Sequence, residues 1–145
     1  MMRFILALLF LALAFVLQFW FATLGVFVNF VFAALVAFAF LFDIWDVLFF
    51  LLAAIFIINW QPALSPELLI FAAVTVAAYL AHRYSKWEPW AASLAFIVLG
   101  LFTLYLAVAP RFLVADFGSF VIDVAGCLMF GGIVFGVLNR RAHRD

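Results

Sequence analysis

Few residues in this sequence could do chemistry, and the one under the greatest physical penalty is Asp123, set inside the apolar run FGSFVIDVAGCLMFGGIVFG. A carboxylate among apolar groups costs several kcal/mol unless it is neutral or partnered. Asp123 therefore either serves a proton, a ligand or a partner helix, or is a structural carboxyl hydrogen-bonded to Asn29, Gln18 or Arg111. On the first reading, Asp123→Asn leaves membrane insertion intact and weakens partner binding or ligand retention.

The second polar cluster is INWQPALSPE, residues 58–67, between two apolar runs. Pro62 cannot extend a helix ending near Trp60; Ser65 can cap the next helix, Pro66 suits its first position, and Glu67 in that first turn favours the helix dipole. The stretch reads as a turn. Asn59, Trp60 and Gln61 could also touch a partner or roof a ligand, and with Asp123 and Asn29 they form the set of candidate contacts.

The remaining reactive side chains make no constellation. Asp43 and Asp46 fall at the opposite interface from Asp123, so they do not pair as an intramembrane aspartyl protease requires. His82 and His143 stand at segment ends without ligand partners at metal spacing. Ser65, Ser85, Ser93 and Ser119 have no base beside them in sequence, and there is no glycine-rich phosphate loop. Cys127 is the lone cysteine, with no CxxC spacing and no intramolecular disulfide. The expectation is a protein that is not an enzyme and that has no cofactor and no metal.

These residues sit in a chain of 145 residues that is 73% hydrophobic and only 10% charged, too apolar on every face to close one soluble core. Its mean hydropathy of +1.42 points the same way. It is expected to be a single transmembrane domain over 1–145. Seven basic and seven acidic side chains leave no net charge to attract nucleic acid. The start, MMRFILALLFLALAF, imitates a secretory signal, but no polar mature region follows a small-residue cleavage site, so the run is expected to stay in the membrane.

From Phe4 to Phe42 only Gln18, Thr23, Gly25 and Asn29 relieve the apolar run. A single helix that long would be roughly twice the thickness of the hydrocarbon core, so the chain must fold back, near Ala22 to Gly25. Six helices are predicted at about 4–22, 26–42, 46–60, 66–81, 89–109 and 117–138, since a bilayer leaves no water for open backbone groups. The third and fourth look short. With six spans and both termini cytoplasmic, Arg3, Arg83, Lys86, Arg140, Arg141 and Arg144 lie inside and Arg111 outside, as basic residues prefer. Trp20 and Trp60 then mark the outer interface, and Trp45, Trp87 and Trp90 the inner one.

The last segment also carries Gly126, Gly132 and Gly136, a candidate helix-packing seam in which Gly132 and Gly136 form a GxxxG pair. Ala33 and Ala37 make a weaker pair on the second segment. Internal packing is the first expectation, and a seam for a homodimer or partner the second.

In layout the chain resembles the MreD family of rod shape-determining proteins. Leu17-Gln18 followed by Phe21 to Gly25 is similar to that family's Leu-Gln and Phe-Pro-x-x-Gly turn. Ala78-Tyr79-Leu80 before the basic loop, Leu104-Tyr105, and Leu138-Asn139-Arg140-Arg141 resemble its later landmarks. Val28-Asn29 stands where the family has Pro-Asp, and Ile55 to Asn59 where it has a glycine-rich helix ending in Asp. The resemblance implies a non-enzymatic scaffold in the bacterial inner membrane, surrounded by membrane lipids and binding an MreC-like protein and, through it, the cell-wall synthase complex. That family's fold is similar to the substrate-binding components of energy-coupling-factor vitamin transporters, which gives the alternative function. Those components carry an Ala-x-x-x-Ala seam on the first helix, and Ala7, Ala12 and Ala14 lack that spacing here.

Overall fold

A computed structural model describes residues 1–58 and 65–142. Among them every regular element is a helix: α1 (Met2–Thr23), α2 (Phe30–Ala39), α3 (Ile44–Ile58), α4 (Pro66–Tyr84), α5 (Pro89–Val108), α6 (Pro110–Ala115) and α7 (Phe117–Ala142). The chain is all-α, and α1, α4, α5 and α7 are each long and apolar enough to cross a membrane. Their outward faces carry large apolar side chains, such as Leu9, Val16 and Phe19 on α1 and Met129 and Ile133 on α7. Lipid is the solvent that suits such a surface.

The ends of the long helices follow from local chemistry. Thr23 closes α1, and Gly25, at φ +78°, takes the left-handed turn. Gly25 N–H donates to Ala22 O and Val26 N–H to Phe21 O, both 3.0 Å, the pairing that satisfies orphan carbonyls in a glycine-terminated helix. The expected fold-back at Ala22 to Gly25 is therefore present. Pro66 and Pro89 open α4 and α5 at their first turns, where a missing N–H costs nothing. Ser65 precedes α4 as its cap residue, but its hydroxyl makes no cap bond; its carbonyl accepts from Leu68 N–H at 3.1 Å.

The second helix departs from the sequence reading. The segment expected at 26–42 is helical only over Phe30–Ala39, and α4, expected to be short, runs 19 residues. The short helices are α2 and α3, of 10 and 15 residues. At 1.5 Å per residue α2 is about 15 Å long, roughly half the hydrocarbon thickness. The stretch Pro110–Ala115, read as a plain break, forms the brief helix α6. The predicted end of the third segment at Trp60 lies outside the described residues.

All ten residues of α2 are buried, and it touches α1, α3, α4, α5 and α7, so it is the pillar around which the others stand. Aromatic side chains fill much of that packing: Phe30 meets Phe130 of α7 at 5.4 Å between ring centres, Phe32 meets Phe71 of α4 at 5.3 Å, and Phe38 meets Phe50 of α3 at 4.9 Å. Glycines admit the closest approaches. A Cβ at Gly100 would collide with Phe32 of α2, one at Gly126 would come within 2.7 Å of Val28, and one at Gly131 within 2.5 Å of Ile97.

The candidate glycine seam divides by surroundings. Gly126 packs internally as expected, but its neighbours in the seam are Gly131 and, on α2, Ala33, whose Cβ would sit 3.7 Å from a Cβ at Gly131. Gly132 and Gly136 are half-buried and have no close neighbour inside the bundle: the first has a single atom at 4.0 Å and the second none within 4 Å. Ala33 and Ala37 are both fully buried in α2.

Candidate functional site

A helix that starts and stops inside an apolar bundle leaves backbone N–H and C=O groups that water cannot reach, so the protein itself must satisfy them. At the start of α2 two side chains from other helices do so. Asp123 of α7 accepts from Asn29 N–H at 2.8 Å, and Gln18 of α1 accepts from Val31 N–H at 3.2 Å through Oε1. A carboxylate at a helix N-terminus also meets the positive end of the dipole. At the far end, Arg3 of α1 donates from Nη2 to Leu41 O at 3.1 Å, and its guanidinium lies 5.4 Å from the centre of the Phe42 ring. The pillar thus has an acid at its first turn and a cation beyond its last.

Asp123 is completely buried and gathers three further donors. Asn29 Nδ2 and Tyr105 Oη each donate to Oδ2 at 2.6 Å, and Cys127 Sγ donates to Oδ1 at 3.2 Å. With Asn29 N–H, that makes four donors on two oxygens, the full capacity of a carboxyl group that only accepts. The knot joins α5, α7 and the non-helical link Val26 to Asn29 that leads into α2. Of the sequence-predicted partners of Asp123, Asn29 is present; Gln18 is one turn away on Val31, and Arg111 is exposed on α6.

Sequence reasoning missed Tyr105 and Cys127 as partners. Cys127 was legible in principle, because it stands four residues from Asp123, one helical turn along the same face. Tyr105 offered a weaker signal: a buried phenol seeks a partner, but nothing in the sequence says which.

Beside the knot lies a cavity of about 300 Å³. Asn29 and Tyr105 form its inner wall, Gln18 stands next to them, Glu67 of α4 sits at its exposed edge, and Phe27, Phe71 and Leu104 are among its apolar lining. Asp123 stands behind that wall rather than in it. Of the candidate contacts, Asp123 and Asn29 are therefore brought together, whereas Asn59, Trp60 and Gln61 lie outside the described residues. At the other end of the bundle, Asp43 lines two adjoining cavities, one with Arg3 and Asp46, the other with Tyr79, His82 and Arg83. Asp43 and Asp46 stay apart from Asp123, which the antiparallel layout requires. Among the described residues no group of three or more His, Cys, Asp or Glu could hold a metal ion.

Compared with known proteins, the chain has no matching family model, no matching curated protein and no matching solved structure.

Proposed function

We propose that this chain is a non-enzymatic scaffold of the bacterial inner membrane, similar to MreD, with six helices in the bilayer and both termini on the cytoplasmic side. One observation carries the reading: the one carboxylate buried among the described residues is occupied in capping the protein's own central helix, with four donors of the same chain on its oxygens. A group so engaged stabilises a framework and has no free lone pair for a substrate proton. Function then belongs to surfaces, and the partner is an MreC-like protein of the cell-wall synthase complex. Basic residues support the orientation. Arg3 and Arg83 line cavities that share Asp43, which puts the start of α1 and the end of α4 at one end of the bundle, the side that basic residues select as cytoplasmic.

Two experiments test this. Fusions of green fluorescent protein and alkaline phosphatase after Lys86 and after Arg111 should give fluorescence at the first and phosphatase activity at the second; the reverse pattern inverts the topology. Mild-detergent purification from native membranes with mass spectrometry should recover an MreC-like protein or a cell-wall synthase. Recovery of an ATPase-linked coupling subunit instead would make the chain the substrate-binding component of an energy-coupling-factor transporter, the reading that the cavity beside Asn29 and Tyr105 favours.

A further inference from the structure

We propose that the cavity beside the start of α2 binds a protonated amine carried on a compact apolar body. The inference rests on the geometry of that cavity and holds for a scaffold or a transporter component alike. At about 300 Å³ the space is at the lower end of what small organic ligands occupy. Its polar groups are already sorted by the bonds they make. Asn29 gives one amide hydrogen to Asp123, which leaves Oδ1 as an acceptor and a second N–H as a donor; Tyr105 gives its hydroxyl hydrogen to the same carboxylate, which leaves Oη as an acceptor. Gln18 uses Oε1 on Val31 N–H, so it retains its amide donors. Glu67 adds a carboxylate at the exposed edge.

Among the described lining residues the cavity therefore offers two neutral acceptors and two neutral donor groups, with the Glu67 carboxylate as its one charge, a set that suits N–H donors bearing positive charge. An anion would meet the Glu67 carboxylate and find no cation among the described lining residues. The first turn of α2, which would otherwise attract it, is filled by Asp123. Phe27 and Phe71 line the same space, where an ammonium gains from an aromatic face and an apolar body from apolar contact. Such a group could come from a free amine or from the amino headgroup of a phospholipid, and the chemistry recognised is the same.

The test uses the full chain in phosphatidylcholine nanodiscs, titrated calorimetrically with 3-phenylpropylammonium, 3-phenylpropanol and 3-phenylpropionate against empty nanodiscs. The expected result is saturable binding of the ammonium at least tenfold tighter than the alcohol, and no saturable binding of the carboxylate. Glu67→Gln should weaken the ammonium at least tenfold, and Val108→Trp, at another wall of the cavity, should abolish its binding. Leu69→Trp, on the exposed face of α4, should leave it unchanged. Equal affinity for alcohol and ammonium, binding that survives Val108→Trp, an affinity indifferent to Glu67→Gln, or no saturable binding overturns the proposal. Repeating the titration with phosphatidylethanolamine in the nanodiscs separates the sources. Loss of added-amine binding, with that lipid retained by the wild type and not by Val108→Trp, assigns the amine to a headgroup; unchanged binding assigns it to a free molecule.

Discussion

Asp123 takes hydrogen bonds from a backbone N–H, a carboxamide, a phenol and a thiol, so changing it to asparagine puts an NH2 group where the neighbours also donate. Asp123→Asn should therefore lower the stability in detergent by roughly 1–3 kcal/mol, read from thermal unfolding. Tyr105→Phe removes one donor and leaves the carboxylate three others, so its cost should be the smaller of the two. The pair Asn29→Asp with Asp123→Asn exchanges the side chains across the knot while leaving an acceptor for the Asn29 N–H. The double variant should be more stable than the sum of the singles predicts, with a coupling of about 0.5–3 kcal/mol; strict additivity would show that the two side chains do not bond. At this scale the sequence was half legible. A carboxylate in an apolar run announces a need for partners, and Asn29 was among those named, but which helix face meets which is a tertiary fact.

The helices were legible where proline, glycine or charge punctuates the chain, as at Gly25, Pro66 and Pro89. They were not legible within 26–42, because an apolar run buried on all sides has no periodicity to mark its ends. Residues Val26 to Asn29 stay out of the helix because Asn29 is held by Asp123, a contact 94 residues away. Close packing at α2 gives an element-level test. Gly100→Ala would push a methyl into Phe32, which is fully buried and has nowhere to go, so a loss of about 1–3 kcal/mol in thermal unfolding is expected. Gly136→Ala, with nothing near it, should be neutral or slightly stabilising, since alanine favours the helix. The start of α7 gives another. Ser119 donates through N–H and hydroxyl to the exposed Asp116 carboxylate, at 3.2 and 2.6 Å, and these bonds hold its pKa below the usual value. A depressed folded pKa means that the stabilisation is present above the unfolded pKa and is lost as pH falls through the folded one. Amide protection in the first turn of α7 should decline across that acid range in the wild type and show no such step in Asp116→Ala.

For the molecule as a whole, composition alone identified an all-α, membrane-embedded chain, and the four long apolar helices agree with it. What composition could not reveal is that one wholly apolar stretch is a half-length pillar buried among α1, α3, α4, α5 and α7. Hydrogen exchange in nanodiscs should therefore find the slowest amides in the later turns of α2, exchanging only with global unfolding, and protection greater in α5 than in α2 would refute that order. The pillar also has a history. At the usual pace of synthesis, about 5–20 residues per second, ~5–20 s separate the making of Asn29 from that of Asp123. During that interval the first turn of α2 is without its acid, while α1, which brings Gln18 and Arg3, is already made. The helix made after the other six described ones is thus the keystone, and a ribosome stalled before Asp123 holds a nascent bundle that cannot yet lock.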